Sequence, residues 1–416
     1  VSNGAIVTAC DKHDRDWLGD KYTECERLGI QFRLGEDYLD NLTDEIIFKT
    51  PGMRYDVPQL EKARKNGAKI TSEMEMFFEV CPSHIIAVTG SDGKTTTTTI
   101  IHKFMTQSGY KTWLGGNIGN PLLAETDGMT ENDWVILELS SFQLHTMQKS
   151  PERAVITNLS PNHLDWHKDY SEYIEAKTNI FTHMSQDGIL VLNADNADCA
   201  ALLPLAHSNV KMFSRTKKAN VWLDGNIIMR SGEKALDIND IKLPGMHNVE
   251  NYMAAIAVTE GLVSVDTIRA VAESFGGVEH RIELVRTLDG VRYYNSSIDS
   301  SPNRTVNTLN VFPQRVIMIA GGKDKGIPYD AVGPAIAEHV KTLVLVGATS
   351  DKIYEALKKT DKADEITVDA LGNVIALKKG RQSGKKIMFI TNMDETGFIV
   401  SEITDKGYLK IKSVGK

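Results

Sequence analysis

The chain has 416 residues, 41% hydrophobic and 25% charged, an ordinary composition for a folded protein of two to four domains that argues against a disordered or fibrous reading. A formal net charge of -8 speaks against a nucleic-acid-binding surface but leaves local basic clefts for phosphates open. Cys10, Cys25, Cys81 and Cys199 form no Cys-x-x-Cys pair, no apolar run reaches the roughly 20 residues that span a bilayer, and the opening residues show no export pattern, so a cytoplasmic protein without membrane or nucleic-acid partners is expected. A monomer is the starting expectation, although oligomeric state is not written in the sequence.

In chain order, strand-like apolar runs stand at 5–9, 45–48, 85–88, 134–137, 154–157 and 188–192, separated by longer segments of helical pattern. Such alternation predicts α/β structure with parallel sheets wrapped by helices. The pattern resumes at 315–320 and 342–346, each run ending at glycine, which predicts a further α/β domain. Cys81-Pro82-Ser83 and Phe275-Gly276-Gly277 mark expected domain edges.

After the strand at 85–88 comes Gly90-Ser91-Asp92-Gly93-Lys94-Thr95-Thr96, followed at once by a helical pattern. A strand, a glycine turn and a helix N-terminus in series make an anion site. Backbone N–H groups and the helix dipole face phosphates, the lysine meets the terminal oxygens, and a threonine hydroxyl can ligate magnesium. The general pattern G-x-x-x-x-G-K-[ST] is met only in part, because Val88 stands six before Lys94. Of the threonine run, Thr95 and Thr96 are the expected functional members and 97–99 ordinary helix positions. The competing reading is a plain turn with a solvated lysine.

The variant TGSDGKTT resembles the phosphate loop of the Mur ligases. The likeness continues through Gly115-Gly116-Asn117-Ile118-Gly119, through Glu138-Leu139-Ser140-Ser141-Phe142-Gln143-Leu144, and through Thr157-Asn158, His163-Leu164-Asp165 and Lys177. Further matches are Gly245-Met246-His247-Asn248 with Asn251, His280-Arg281-Ile282-Glu283, and Gly321-Gly322-Lys323-Asp324-Lys325; Asp11-Lys12-His13 and Thr50-Pro51-Gly52 resemble parts of the family's UDP-binding domain. The resemblance implies a three-domain architecture: a Rossmann-like N-terminal domain at 1–82 lacking its first strand, a central P-loop-type ATPase domain at 83–277, and a partial Rossmann-like C-terminal domain at 278–362.

The implied activity adds D-glutamate to UDP-N-acetylmuramoyl-L-alanine in peptidoglycan precursor synthesis, with ATP and magnesium, through an acyl phosphate. By the same resemblance Gly90, Ser91, Asp92, Gly93, Lys94, Thr95 and Thr96 hold ATP, with Asn248, Asn251 and Arg281 on the nucleotide side. Thr95 or Thr96 with Glu138 would serve one magnesium, and His163 with Lys177 a second. An ammonium cannot ligate a cation, so Lys177 would have to be carbamylated. Lys94, His163 and Lys177 are then the catalytic candidates, and Asn117, Ser140, Lys325, Thr50 and Asp11 the substrate-binding ones. Taken singly, Glu138, His163 and Lys177 would more often be structural or solvated groups, a weighting that their ordered co-occurrence reverses, and Asn117 and Ser140 read equally as turn and cap residues. His163, Asp165 and His167 only superficially suggest a transition-metal cluster, for no helical H-E-x-x-H frame supports it.

Three departures qualify the likeness. The chain begins beyond the strand and glycine turn that open the family's first domain. The segment 293–301 stands where the family has NDSKATN, with its aspartate displaced to Asp299. At 366–376 and 386–398, including Asn392-Met393-Asp394-Glu395, the chain resembles instead the opening of dinuclear metal glutamyl-aminopeptidases, with Asn392 in place of a ligating histidine. A β-rich segment is expected at 363–416, whose run 387–390 is prone to aggregate if no sheet receives it. Two other classes stay open: an ATP-binding protein that cannot ligate, and a metallopeptidase.

Overall fold

The computed structural model describes residues 4–119, 121–277, 282–297, 299, 301–324 and 327–360, and the backbone of five further strands between 365 and 414. By contacts the chain divides into two compact units, Val1–Cys81 and Pro82–Lys416.

The first unit carries two parallel strand pairs, β1 (Thr8–Asp11) with β2 (Gln31–Leu34) and β3 (Ile46–Phe48) with β4 (Lys69–Thr71). Its core is small, built on Leu42, Leu60 and Ala63. The free edges of β1 and β3 both line a cavity of about 1100 Å3, and Ile6, Ile46 and Phe48 are exposed beside it.

In the second unit, β5 (His84–Thr89), β6 (Thr112–Gly116), β7 (Trp134–Glu138), β8 (Arg153–Ile156), β9 (Ile189–Asn193), β10 (Asn209–Ser214), β11 (Val221–Asp224), β12 (Ile227–Arg230) and β13 (Glu233–Asp237) form one sheet. Its order is β13-β12-β11-β10-β9-β8-β5-β7-β6, parallel from β6 to β11 and closed by an antiparallel meander. Strands β5 and β7 read as nearly unbroken apolar runs because both faces are covered by helices, as a central parallel strand requires. Alternation along β5 sorts the faces. Ile86 and Val88 join Phe104, Tyr252 and Val271 in one core, against the Lys94–Gln107, Met246–Val258 and Val265–Ser274 helices. Thr89, on the other side, meets the Tyr170–Thr182 helix through Lys177. The chain leaves β7 on one side of β5 and re-enters as β8 on the other, so the crevice at the C-terminal ends of these strands is the switch point where open α/β sheets bind ligands.

A second sheet runs β14-β15-β20-β16-β17-β19-β18, from β14 (Glu283–Leu288), β15 (Val291–Asn295), β16 (Val316–Gly321), β17 (Val340–Val346), β18 (Glu365–Val368), β19 (Val374–Leu377) and β20 (Ile387–Ile390). It has its own core around Leu309, Met318, Ile336 and Leu343, yet it belongs to one compact unit with the nine-stranded sheet despite the edge expected near 277. The expectation of a separate segment from 363 differs from the pairing found: β18 and β19 extend this sheet beyond β17, and β20 lies between β15 and β16, parallel to both. The physical reason is backbone satisfaction, since an apolar strand with partners on both sides leaves no ladder of N–H and C=O groups unpaired. The hairpin of β21 (Gly397–Ile403) and β22 (Leu409–Val414) pairs by itself. Among the described residues no helix is long and apolar enough to cross a membrane.

Candidate active site

The turn after β5 demands glycine at two places. Gly90 has φ +146° and a Cβ there would lie 2.0 Å from Thr157 Oγ1; Gly93 has φ +79° and a Cβ would lie 2.3 Å from Asn251 Oδ1. The segment after β8 clamps the turn. Ser91 N–H donates to Asn158 O and Asp92 N–H to Asn158 Oδ1, both at 2.9 Å, while the buried Ser91 hydroxyl bonds Ser160 O and Tyr173 Oη at 2.9 Å. The Ser91 side chain is thus tied into the protein and holds the turn in place.

Gly93 caps the Lys94–Gln107 helix, whose first turn holds buried Thr95 and Thr96. Thr98 and Thr99 donate back to Lys94 O and Thr95 O at 2.8 Å, a local habit of hydroxyls inside helices. Thr97, expected to be an ordinary position, instead donates to Asn251 Oδ1 at 3.2 Å, fixing that amide against the loop.

Three basic side chains converge on two successive loop carbonyls. Lys94 Nζ donates to Gly90 O at 2.9 Å and Ser91 O at 3.1 Å; Lys177 Nζ donates to Gly90 O at 2.9 Å and Thr89 Oγ1 at 3.2 Å; Arg304 Nη2 donates to Ser91 O at 3.2 Å. Arg304 Nε also donates to Asp92 Oδ1 at 2.6 Å. Burial pushes the Lys177 ammonium well below the ordinary lysine range, and the neighbouring Lys94 charge adds to the shift. Burial would also lower Arg304, but the Asp92 carboxylate more than offsets it and holds the guanidinium charged.

Buried Glu138, at the end of β7, accepts from Thr95 Oγ1 at 2.6 Å and Asn117 Nδ2 at 2.8 Å. Hydroxyl and carboxylate oxygens side by side are the hard donors magnesium prefers, so this pair fits that ion. Around the loop opens a cavity of about 420 Å3, lined by Gly93, Asn158, Asn251, Asp299 and Arg304 among others. In its wall Arg215 pairs with Glu250 at 2.5 Å, and burial raises the Glu250 carboxyl.

Several expected residues lie differently. Asn248 is only 3% exposed; its Nδ2 donates to Pro244 O at 2.6 Å and its Oδ1 accepts from Asn251 Nδ2 at 3.0 Å, so it orients Asn251 from behind instead of facing the cleft. Of the two asparagines Asn251, one turn further along the helix, lines the cavity, together with His247 and Glu250 of the same helix. Ser140 caps the short Ser141–Leu144 helix in a reciprocal box with Gln143, with its hydroxyl engaged at 2.9 Å and 3.2 Å. His163 sits on the loop after β8 with φ +54°, its ring edge-on to Phe142 at 4.9 Å. His167 is buried against Ser141 Oγ at 2.9 Å and Glu172, Asp165 is exposed, and among the described residues no three His, Cys, Asp or Glu side chains could hold a metal. Asp299, displaced in sequence, is buried and accepts from Ser296 Oγ at 2.8 Å and Thr308 Oγ1 at 2.5 Å.

In the first unit the Asp11 carboxylate accepts from His13 N and Nδ1 at 2.9 and 2.8 Å, while Thr50 lines the large cavity there. Arg281, Lys325 and the turn at Asn392 lie outside the described residues. Sequence reasoning missed Arg304, which follows the displaced-aspartate segment, and the clamping role of Asn158. A signal for Arg304 existed only in its place one turn after Asp299 at a proline-started helix, too weak to single it out.

The Mur ligase middle-domain model matches residues 88–259, and that of the M42 glutamyl aminopeptidases matches 372–416. The UDP-N-acetylmuramoylalanine–D-glutamate ligase of Ruminiclostridium cellulolyticum is 53% identical over 365 residues, covering 86% of this chain and 78% of the relative. That of Acetivibrio thermocellus is 51% identical over 383 residues, covering 90% and 81%, and that of Clostridium botulinum strain Hall 44% over 410 residues, covering 98% and 86%. In fold the chain is similar to the UDP-N-acetylmuramate–alanine ligase of Thermotoga maritima, with TM-score 0.61 at 20% identity over 94% of this chain and 91% of that one. It is also similar to a second ligase of that organism solved with ADP, with TM-score 0.54 at 17% identity over 83% and 90%. Identity of this extent over most of both chains means that this chain belongs to the Mur ligase family, the ATP-dependent ligases of peptidoglycan synthesis, among its UDP-N-acetylmuramoylalanine–D-glutamate ligases.

Proposed function

We propose that this chain joins D-glutamate to the L-alanine carboxylate of UDP-N-acetylmuramoyl-L-alanine at the expense of ATP, in the cytoplasm. The observation that carries this reading is the gathering of Lys94, Lys177 and Arg304 on the carbonyls of Gly90 and Ser91, at the mouth of a helix. Lys94 and Arg304, two cations resting on the neutral carbonyl oxygen of Ser91, form a cradle matched to a polyanion.

In the reaction an alanine carboxylate oxygen forms a new bond to the γ-phosphorus while the β,γ-bridging P–O bond breaks and ADP departs. The D-glutamate amine then attacks the acyl carbon, the C–O bond to phosphate breaks, and the nitrogen gives up its proton as the amide forms. Two anions must approach in line, so the protein's task is positioning and neutralisation more than covalent chemistry. Lys94 screens the terminal phosphates, Asn251 fixes the nucleotide from the cleft wall, and Asn117 orients the muramoyl-alanine side. Thr95 and Glu138 would hold magnesium, which when bound neutralises phosphate charge. His163 and Lys177 would serve a second ion with Lys177 as its carbamate; a buried amine of lowered basicity is the neutral nucleophile that carbon dioxide needs. Asp11 and Thr50 would contribute on the UDP side, and Arg281 and Lys325 at the nucleotide and D-glutamate carboxylate.

Release of inorganic phosphate from ATP, measured with each substrate present and omitted, tests the assignment. Release should require UDP-N-acetylmuramoyl-L-alanine and D-glutamate together; ATP binding without such release would mean that the chain holds the nucleotide and does not ligate.

A further inference from the structure

Asp92 is an odd residue for an anion cradle, because it puts a carboxylate inside the glycine turn that opens the Lys94–Gln107 helix. Its partner is Arg304, which reaches over from the Pro302–Leu309 helix of the other half of the unit. The same guanidinium donates to Ser91 O, the oxygen that also accepts from Lys94 Nζ, so the two cationic heads flank a single atom of the loop. Arg304 also lines the 420 Å3 cavity together with Gly93 and Asn251.

We infer that Arg304 is a ligand of the ATP γ-phosphate and of the acyl phosphate formed from it, held on Asp92 until that anion arrives. This rests on the ligase reading and extends it by one residue. A carboxylate and a phosphate oxygen offer a guanidinium the same planar, charge-assisted geometry, so the fork can exchange Asp92 for phosphate without crossing an unpaired state. While ATP is absent, Asp92 gives the buried cation a partner. When the β,γ bond breaks, negative charge spreads over the transferring oxygens beside the carbonyl that Lys94 and Arg304 share. Because the helix carrying Arg304 belongs to the half with the seven-stranded sheet, the contact would also make phosphoryl transfer depend on how that half is seated.

The test compares affinities of the full chain for ADP and for the β,γ-imido analogue of ATP. Arg304→Ala should weaken the triphosphate by about tenfold, leave ADP within about twofold, and lower kcat by about 100-fold, the usual range for one lost donor at a developing charge. Arg304→Lys should recover part of the triphosphate preference. If Arg304 served only as counter-ion to Asp92, the double variant Asp92→Asn/Arg304→Ala would regain parental preference and turnover, and that result would overturn the assignment, as would an unchanged preference in Arg304→Ala. Should Arg304→Ala not fold, Arg304→Met keeps the aliphatic stem and is read by the same two affinities. A parent protein without substrate-dependent phosphate release would count against the ligase reading itself, whereas an active parent with an indifferent variant counts against Arg304 alone.

Discussion

Lys94 and Lys177 both donate to the carbonyl oxygen of Gly90 at 2.9 Å, an arrangement two full charges tolerate poorly. At about 5 Å and an effective dielectric of about 20, like charges repel by roughly 3 kcal/mol, so the more buried member loses basicity. That is Lys177, 1% exposed, whose ammonium burial and the Lys94 charge hold well below the ordinary lysine range, while Lys94 is half-buried and is the proposed contact for phosphate. Lys94→Ala should therefore lower phosphate release by at least about 100-fold, and undiminished ligation in that variant would refute the cradle. For the proposed carbamate, protein equilibrated with 13C-bicarbonate should show a carbamate carbon resonance that is missing from Lys177→Ala, whose activity short carboxylic acids should partly restore. A resonance that persists in the variant would place the adduct elsewhere.

At the scale of single elements, edge strand β6 is pinned by one carboxylate. Asp133 Oδ2 accepts from Trp113 Nε1 at 2.8 Å and pairs with Lys111 Nζ at 2.8 Å, and Oδ1 accepts from Thr130 Oγ1 at 2.7 Å. Lys111 first, then Trp113 and Thr130, hold this carboxyl far below the ordinary carboxylate range. A depressed folded value means that the unfolded chain binds the proton more readily. The stabilisation is thus complete above the ordinary value of 3.8 and is lost as pH falls below it. Urea denaturation from pH 6 to pH 2 should show Asp133→Asn less stable than the parent at pH 6 and the gap narrowing in acid; a gap constant with pH would show that the ionised carboxylate is not what pins the strand.

Over the whole molecule, strands β18, β19 and β20 are joined to the ligase core through backbone pairing. Met388 on β20 is in register with Tyr293 on one side and Ile317 on the other, so removing β20 would expose two internal ladders in the sheet of the half whose Pro302–Leu309 helix carries Arg304. Deleting 361–416, or substituting Met388→Pro, should lower the unfolding midpoint by about 4 °C or more and weaken the ATP preference assigned to Arg304. A truncated chain of parental stability and turnover would show that β20 adds nothing to the sheet. The sequence alone determined the phosphate loop, the Glu138 strand end and the α/β alternation, because a strand, a glycine turn and a helix start are written within a dozen neighbouring residues whose chemistry is local. It could not decide that Asn248 supports Asn251 from behind, that Ser140 spends its hydroxyl on a cap, that 387–390 enters a sheet between β15 and β16, or that Arg304 reaches Asp92 across 212 positions. Those outcomes depend on which distant groups the packed chain brings within hydrogen-bond reach, and no periodicity or spacing encodes such a distance before the core closes.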